Sequence, residues 1–211
     1  LQGATAGLEI TRERVGQIPV TLYRPAGGRP APVVVIAHGF AGSQQLMQPI
    51  AVTLARNGYL AVSFDFPGHG ANPAPFVSRI EDQDRRVRVL LGALESVMDL
   101  VARLPGADGR VALLGHSMAG DVLTRLAAAR RNQVAATVLV SPYLAPDAPV
   151  EAARNVLILF GSLEPQMLHQ MGREALAAAT GGTLDIGVTY GRLVEGDARR
   201  LELVPGVEHI G

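Results

Sequence analysis

Residues 111–126 read VALLGHSMAGDVLTRL, an apolar run that stops at Gly115 and gives way to a helical pattern within a few residues. The run is typical of a buried strand, and the pattern after it is typical of an amphipathic helix. One serine, Ser117, stands between small residues at the junction. A serine held there presents its hydroxyl at the carboxyl edge of a sheet, beside the free N–H groups of a helix start. The stretch therefore predicts either a tight structural turn or a nucleophile.

The rest of the chain repeats this alternation of short apolar runs and longer helical patterns. Such alternation predicts an α/β fold with a mostly parallel central sheet and helices on both faces. No internal repeat, linker or low-complexity stretch interrupts it, so we expect a single domain over residues 1–211. The strand-like runs lie at 18–25, 32–39, 59–66, 111–115, 134–141 and 155–161, with weaker ones at 183–190 and 201–206, and the helical patterns lie at 43–58, 81–104, 121–132 and 166–182.

Composition excludes several classes of function. The chain has 211 residues with 19 basic and 19 acidic side chains, so nothing favours nucleic acid or an anionic membrane surface as a partner. It has no cysteine, which excludes disulfides, zinc–thiolate sites and a thiol nucleophile. No apolar run approaches the roughly 18 residues of a membrane span. The first residue is Leu1 rather than Met, so we expect a processed or trimmed N terminus.

The order of motifs resembles the α/β-hydrolase superfamily, in its bacterial serine esterase and dienelactone-hydrolase-like branches. GHSMAG at 115–120 stands where that superfamily has its nucleophile elbow G-x-S-x-G, with Ala119 at the last position and Gly120 next. The resemblance implies the α/β-hydrolase fold and Ser117 as the nucleophile.

Two further loops fit the same resemblance. AHGF at 37–40 follows a buried strand, as the oxyanion loop of that superfamily does, which implies oxyanion-hole N–H groups from Phe40 and Met118 and a structural role for His38. DFPGHG at 65–70 resembles the D-x-x-G-H-G loop, which we interpret as scaffolding at the pocket rim rather than as the source of a general base at His69.

The resemblance also implies an acid after a late strand and a histidine near the end of the chain. In LILFGSLEP (157–165) the acid position holds Glu164, although Glu164 and the proline after it would also suit a plain helix start. Asp147, after the preceding strand, is the reserve acid. Among the five histidines, His209 alone follows a plausible acid in a late loop, whereas His169 is expected mid-helix and exposed. The order Ser117, Glu164, His209 is that of the superfamily.

These motifs predict a serine hydrolase that cleaves a small or short-acyl ester through an acyl-serine, with no metal or cofactor. About a dozen residues separate the strands at 134–141 and 155–161, too few for a large cap domain. An acyltransferase or perhydrolase with the same triad, or a non-catalytic binding domain, remains an alternative. The chain ends two residues after His209, where relatives continue into a helix. We therefore expect a piece of a longer protein, with a membrane tether outside this segment as one hypothesis.

Overall fold

A computed structural model describes residues 5–77, 79, 82–180, 189–192 and 198–209. The chain divides into two compact units, Leu1–Ala112 and Leu113–Gly211.

The first unit holds two helices and the first four strands, in the sheet order β1-β2-β4-β3. Strand β3 pairs parallel with β4, whereas β2 pairs antiparallel with both β1 and β4. The core is the continuous apolar run of β3, in which Val33, Val35 and Ile36 are fully buried, as expected for a strand covered on both faces. The elements are β1 (Leu8–Val15), β2 (Ile18–Pro25), β3 (Ala31–Ala37), α1 (Gln48–Arg56), β4 (Leu60–Phe64) and α2 (Gln83–Val101).

Strand β5 (Ala107–His116) begins in the first unit and ends in the second. The second unit then follows the strand order β5-β6-β7-β9-β8, in which β7 pairs parallel with both β6 and β9 while β8 pairs antiparallel with β9. Its core includes Leu113, Leu123, Leu139 and Ile158, all fully buried. The remaining elements are α3 (Ala119–Ala129), β6 (Val134–Val140), a short 3-10 turn (Val150–Ala152), β7 (Val156–Gly161), α4 (Gln166–Thr180), β8 (Thr189–Arg192) and β9 (Ala198–Val204).

The predicted fold class, α/β with a mostly parallel sheet, is confirmed. The connection from β6 to β7 contains only the 3-10 turn, so it carries no large cap. Several element boundaries differ from the prediction by a few residues, and two of them are instructive. Helix α1 begins at Gln48 rather than at 43, because Pro49 suits only the first turn of a helix. Of the weak run at 183–190, residues 183–188 lie outside the described residues, and strand β8 begins at Thr189.

Strand β1 was not predicted from the sequence. LEITRERV places charged side chains at half of its positions and buries none of its residues, since β1 pairs only with β2 as the first strand in the sheet order. A strand of this kind lacks the apolar run by which buried strands are recognised.

Within the described residues, no helix is both long and apolar enough to cross a membrane.

Candidate active site

Ser117 occupies the sharp turn between β5 and α3. Its backbone has a φ of 50°, in the left-handed region that L-residues other than glycine rarely adopt. The Ser117 N–H donates to the Val140 carbonyl at 3.0 Å, which fastens the turn to the end of β6. A Cβ added to Gly115 would lie 2.3 Å from Leu123 Cδ1 and 3.0 Å from Ala119 Cβ, so only glycine fits there. The strained serine of the elbow is therefore held by close packing and a backbone hydrogen bond.

The packing around this turn explains why the sequence departs from G-x-S-x-G. The Ser117 carbonyl accepts the N–H groups of Gly120 at 2.9 Å and of Tyr143 at 3.0 Å, which brings the loop after β6 against the first turn of α3. A Cβ on Gly120 would lie 2.6 Å from Pro142 Cβ, whereas the Ala119 methyl is accommodated in a fully buried position. The close approach that requires glycine thus falls one residue later in this chain.

The structure brings Ser117, His209 and Glu164 into one line. His209 Nε2 lies 3.4 Å from Ser117 Oγ, and His209 Nδ1 lies 2.9 Å from Glu164 Oε2. An ionised carboxylate only accepts hydrogen bonds, so Nδ1 carries the proton and the lone pair of Nε2 faces the serine hydroxyl. A serine–imidazole distance slightly beyond the usual range of about 2.6 to 3.2 Å is common when no substrate is bound. This line has the connectivity of a serine–histidine–acid triad.

Glu164 lies in the turn between β7 and α4, with a fully buried side chain. Its Oε1 accepts the Ser141 hydroxyl and the Gly161 N–H, each at 2.5 Å, while its Oε2 accepts from His209. Burial alone would raise the pKa of this carboxyl group. The hydrogen bonds from Ser141, Gly161 and His209 outweigh burial and hold the pKa of Glu164 below its usual value. The group therefore stays ionised at neutral pH.

The loop that carries His209 is fastened to the turn that carries Glu164. The Leu163 N–H donates to the Val207 carbonyl at 3.0 Å, and the Gly206 N–H donates to Ser162 Oγ at 2.9 Å. A Cβ on Gly161 would lie 2.1 Å from the Val207 carbonyl oxygen, so the loop after β9 approaches β7 at a point where only glycine leaves room. These contacts set where the His209 ring stands relative to its acid.

The reserve acid has a different partner. Asp147 is exposed and accepts from Arg125 Nη2 at 2.8 Å, and the same guanidinium donates to the buried Asp121 at 3.0 Å. His209 has its carboxylate contact with Glu164 instead. The structure therefore brings Glu164, and not Asp147, to the histidine.

The prediction that His169 is exposed was wrong. His169 is buried in α4, its Nε2 lies 2.9 Å from the Gly161 carbonyl oxygen, and its ring packs against Phe160 with centroids 5.3 Å apart. A helix position that faces β7 is buried whatever its polarity, and the hydrogen bond to a backbone carbonyl compensates the loss of water.

The histidines of the first unit have backbone partners. His38 Nε2 accepts the Phe66 N–H at 3.0 Å, so its Nδ1–H donates to the Gly39 carbonyl at 2.8 Å. His69 Nδ1 lies 2.9 Å from the Pro67 carbonyl oxygen. Asp65 is fully buried and accepts from Gln44 and from the Ala71 N–H, which shapes the loop that follows β4. This geometry fits the scaffolding role expected for both loops.

The two predicted oxyanion donors fall in different units. Phe40 follows β3 in the first unit, and its exposed ring packs against those of Phe76 and His69 with centroids 5.5 Å and 6.0 Å away. Met118 follows Ser117 and directly precedes α3, at a helix end whose first N–H groups have no partner within the helix. Their joint action as an oxyanion hole stays a prediction.

A groove of about 860 Å³ runs between the loop after β6 and α4. Its lining is mainly apolar but includes acidic side chains, and one of its lining residues is Tyr143, whose N–H bonds to the Ser117 carbonyl. Among the residues that the structure describes, no cluster of three or more histidine, aspartate or glutamate side chains could hold a metal ion.

Sequence reasoning missed two residues of the site. Ser141, which donates to Glu164, gives no signal beyond its place after a strand and before a proline, and its φ of 48° is visible only in the fold. His116, next to the nucleophile, could be set aside as a base because it cannot reach back to Ser117, but its contact with His209 depends on the late loop.

Comparison with known proteins identifies the family and several relatives of this chain. Residues 28–180 match the family model Hydrolase_4, described as serine aminopeptidase, S33. Lipase LipV from Mycobacterium tuberculosis is 35% identical over 130 residues, which cover 61% of this chain and 42% of that protein. Monoglyceride lipase from Rattus norvegicus is 28% identical over 148 residues, which cover 70% of this chain and 46% of that protein. The chain thus spans less than half the length of these curated relatives.

Solved structures share the fold at low sequence identity. A hydrolase from Thermoplasma acidophilum described as predicted and CIB-like superposes with a TM-score of 0.69 at 16% identity, covering 97% of this chain and 90% of that one. A putative dienelactone hydrolase from Klebsiella pneumoniae gives a TM-score of 0.66 at 20% identity, covering 96% of this chain and 88% of that one.

The family match covers most of the chain, and the chain belongs to the serine aminopeptidase S33 family of the α/β-hydrolase superfamily.

Proposed function

We propose that this chain is a serine hydrolase that cleaves a carboxylic ester through an acyl-serine intermediate. The observation that carries the proposal is the line from Ser117 Oγ through the His209 ring to Glu164 Oε2, with distances of 3.4 Å and 2.9 Å. A serine activated in this way could also attack the carbonyl carbon of an amide. The names of the curated relatives, lipase and monoglyceride lipase, favour an ester.

In the proposed reaction, Ser117 Oγ attacks the acyl carbon while His209 Nε2 takes the hydroxyl proton. Glu164 holds Nδ1–H and stabilises the imidazolium that results. The N–H groups of Phe40 and Met118 are assigned to the tetrahedral oxyanion, a contribution typically worth roughly 2.7 to 4 kcal/mol for each donor. The C–O bond to the alcohol then breaks, and the leaving oxygen takes the proton from His209. Water repeats the sequence on the acyl-serine and releases the acid.

We infer a small or short-acyl substrate from the short connection between β6 and β7. That connection contains one 3-10 turn as local cover, which is too little to enclose a long acyl chain over the site. The groove that Tyr143 helps to line lies between this connection and α4.

The test is ester hydrolysis by wild type and by Ser117→Ala, on acetyl, butyryl and octanoyl esters of one chromogenic alcohol. Ser96→Ala is the matched control, since Ser96 is a serine of α2 whose hydroxyl bonds to the Gly92 carbonyl within its own helix. We expect Ser117→Ala to lose about 1,000-fold or more of kcat/KM, the control to keep its activity, and acetyl or butyryl to be preferred.

Three results would contradict parts of this proposal. Full activity of Ser117→Ala would exclude Ser117 as the nucleophile. Preference for octanoyl would exclude the short-acyl assignment. Faster acyl transfer to an added alcohol than to water would favour the acyltransferase alternative.

A further inference from the structure

His116 lies directly against the proposed base. Its ring centroid is 5.3 Å from that of His209, and the two planes are tilted by 33°, so the two imidazoles lie against each other. His116 is 5% exposed, and its Nε2 has no hydrogen-bond partner among the described residues. Because Nε2 makes no hydrogen bond, what the His116 side chain supplies here is the packing of its ring, at the cost of a buried polar nitrogen without a partner.

A second imidazole beside a general base could compete for the proton that the base must carry. Burial, followed by the nearby His209, lowers the pKa of His116, and the charge of Glu164 offsets this only in part. The titratable groups that act on His116 within the described second unit are therefore His209, on the loop after β9, and Glu164, in the turn after β7. Of the two rings, His209 is the one in direct contact with the carboxylate.

The position of His116 follows from the elbow itself. It is the last residue of β5, and Ser117 turns the chain away with its positive φ, so the His116 ring cannot serve its neighbour but meets the loop after β9. His209 Nε2 and Nδ1 contact Ser117 and Glu164, and rotation about the Cβ–Cγ bond of His209 would take both nitrogens out of these contacts. The His116 ring lies against the imidazole and restricts that rotation.

We propose that His116 is a positioning residue whose ring packs against His209, holds the imidazole in contact with both Ser117 and Glu164, and keeps polar groups away from the side of the imidazole that it covers. This inference concerns the site on which the proposed function rests, but its main readout does not require catalysis.

The test compares His116→Gln, which removes the ring at similar volume, with His116→Phe, which keeps an aromatic ring without nitrogen atoms. The measurement is the protonation midpoint of His209 by NMR in histidine-labelled protein, with thermal unfolding as the check on folding. A carboxamide dipole solvates the imidazolium better than a ring does, so we expect the Gln variant to raise the His209 midpoint by about half a pH unit or more and the Phe variant to leave it within about 0.2. The acid limb of kcat/KM should move with the midpoint, and kcat of the Gln variant should fall about tenfold at unchanged KM.

Equal His209 midpoints in wild type, the Gln variant and the Phe variant would overturn the inference, and so would equal shifts in both variants. These outcomes are separate from failure of the proposed function. If wild type hydrolyses no ester, the function fails while the His209 midpoints still test the contact between the rings.

Discussion

Replacement of Glu164 by glutamine probes the acid of the triad without changing its shape. The amide oxygen can take the place of Oε1 and accept from Ser141 and Gly161, as the carboxylate does at 2.5 Å. The amide NH₂ then faces His209 Nδ1, 2.9 Å away in the native protein, and donates to it. His209 must carry its proton on Nε2, so it presents a donor to Ser117 Oγ and no longer accepts the hydroxyl proton.

We expect Glu164→Gln to lower kcat by about 1,000- to 10,000-fold, the size of effect found when a triad acid becomes its amide. At 1.36 kcal/mol for each factor of ten, this corresponds to roughly 4 to 5.5 kcal/mol of transition-state stabilisation. The assay is steady-state hydrolysis of an acetyl ester at pH 8, with circular dichroism to confirm folding. Asp147→Asn is the matched control, because this exposed carboxylate pairs with Arg125, and its kcat should stay within about a factor of two of wild type.

The reasoning is refuted if the Gln variant keeps more than a tenth of the wild-type kcat. It is refuted in a more informative way if Asp147→Asn loses activity and Glu164→Gln does not, because the reserve acid would then be the partner of His209.

Two further predictions test the packing and the charge of the site, and a control accompanies the first. Gly161→Ala would place a Cβ 2.1 Å from the Val207 carbonyl oxygen, so it should displace the His209 loop and lower kcat/KM at least tenfold, measured with the same ester. Gly92→Ala is its control in an exposed helix position with nothing within 4 Å of the new Cβ, and it should raise the free energy of unfolding by about 0.5 to 1 kcal/mol in urea titrations without changing activity. The depressed pKa of Glu164 contributes stability that is fully present above the usual glutamate value of 4.5 and is lost as the pH falls through the lower folded-state pKa. The stability advantage of wild type over Glu164→Gln should therefore shrink as the pH falls below about 5, and a difference that stays constant from about pH 5 to about pH 3 would contradict the assignment.

The parts of the fold that the sequence predicts are those whose signal is local. The run VVVIA of β3 is buried throughout, so its composition alone indicates a strand. The small residues Gly115, Ala119 and Gly120 lie within six positions of one another, and their spacing indicates a close turn around Ser117. The order of nucleophile, acid and histidine along the chain indicated His209 but left both Glu164 and Asp147 as candidate acids, and only their contacts in the fold separate the two.

The parts that the sequence does not predict depend on contacts between distant segments. Ser141 lies 23 residues from Glu164, and its hydrogen bond exists only because β6 and β7 are neighbours. The burial of His169 depends on which face of α4 meets β7. The contact of His116 with His209 spans most of the second unit, and no residue near either histidine in the sequence signals it.

The central claim is that Ser117 is a nucleophile activated by His209. The most direct measurement is reaction with a fluorophosphonate probe, followed by trypsin digestion and mass spectrometry. Cleavage after Arg110 and Arg125 gives the peptide 111–125, which contains Ser117 as its only serine. The account predicts a phosphonyl adduct on this peptide in wild type and its loss in both Ser117→Ala and His209→Ala. An unmodified 111–125 peptide in folded wild-type protein, or an adduct that persists without His209, would contradict it.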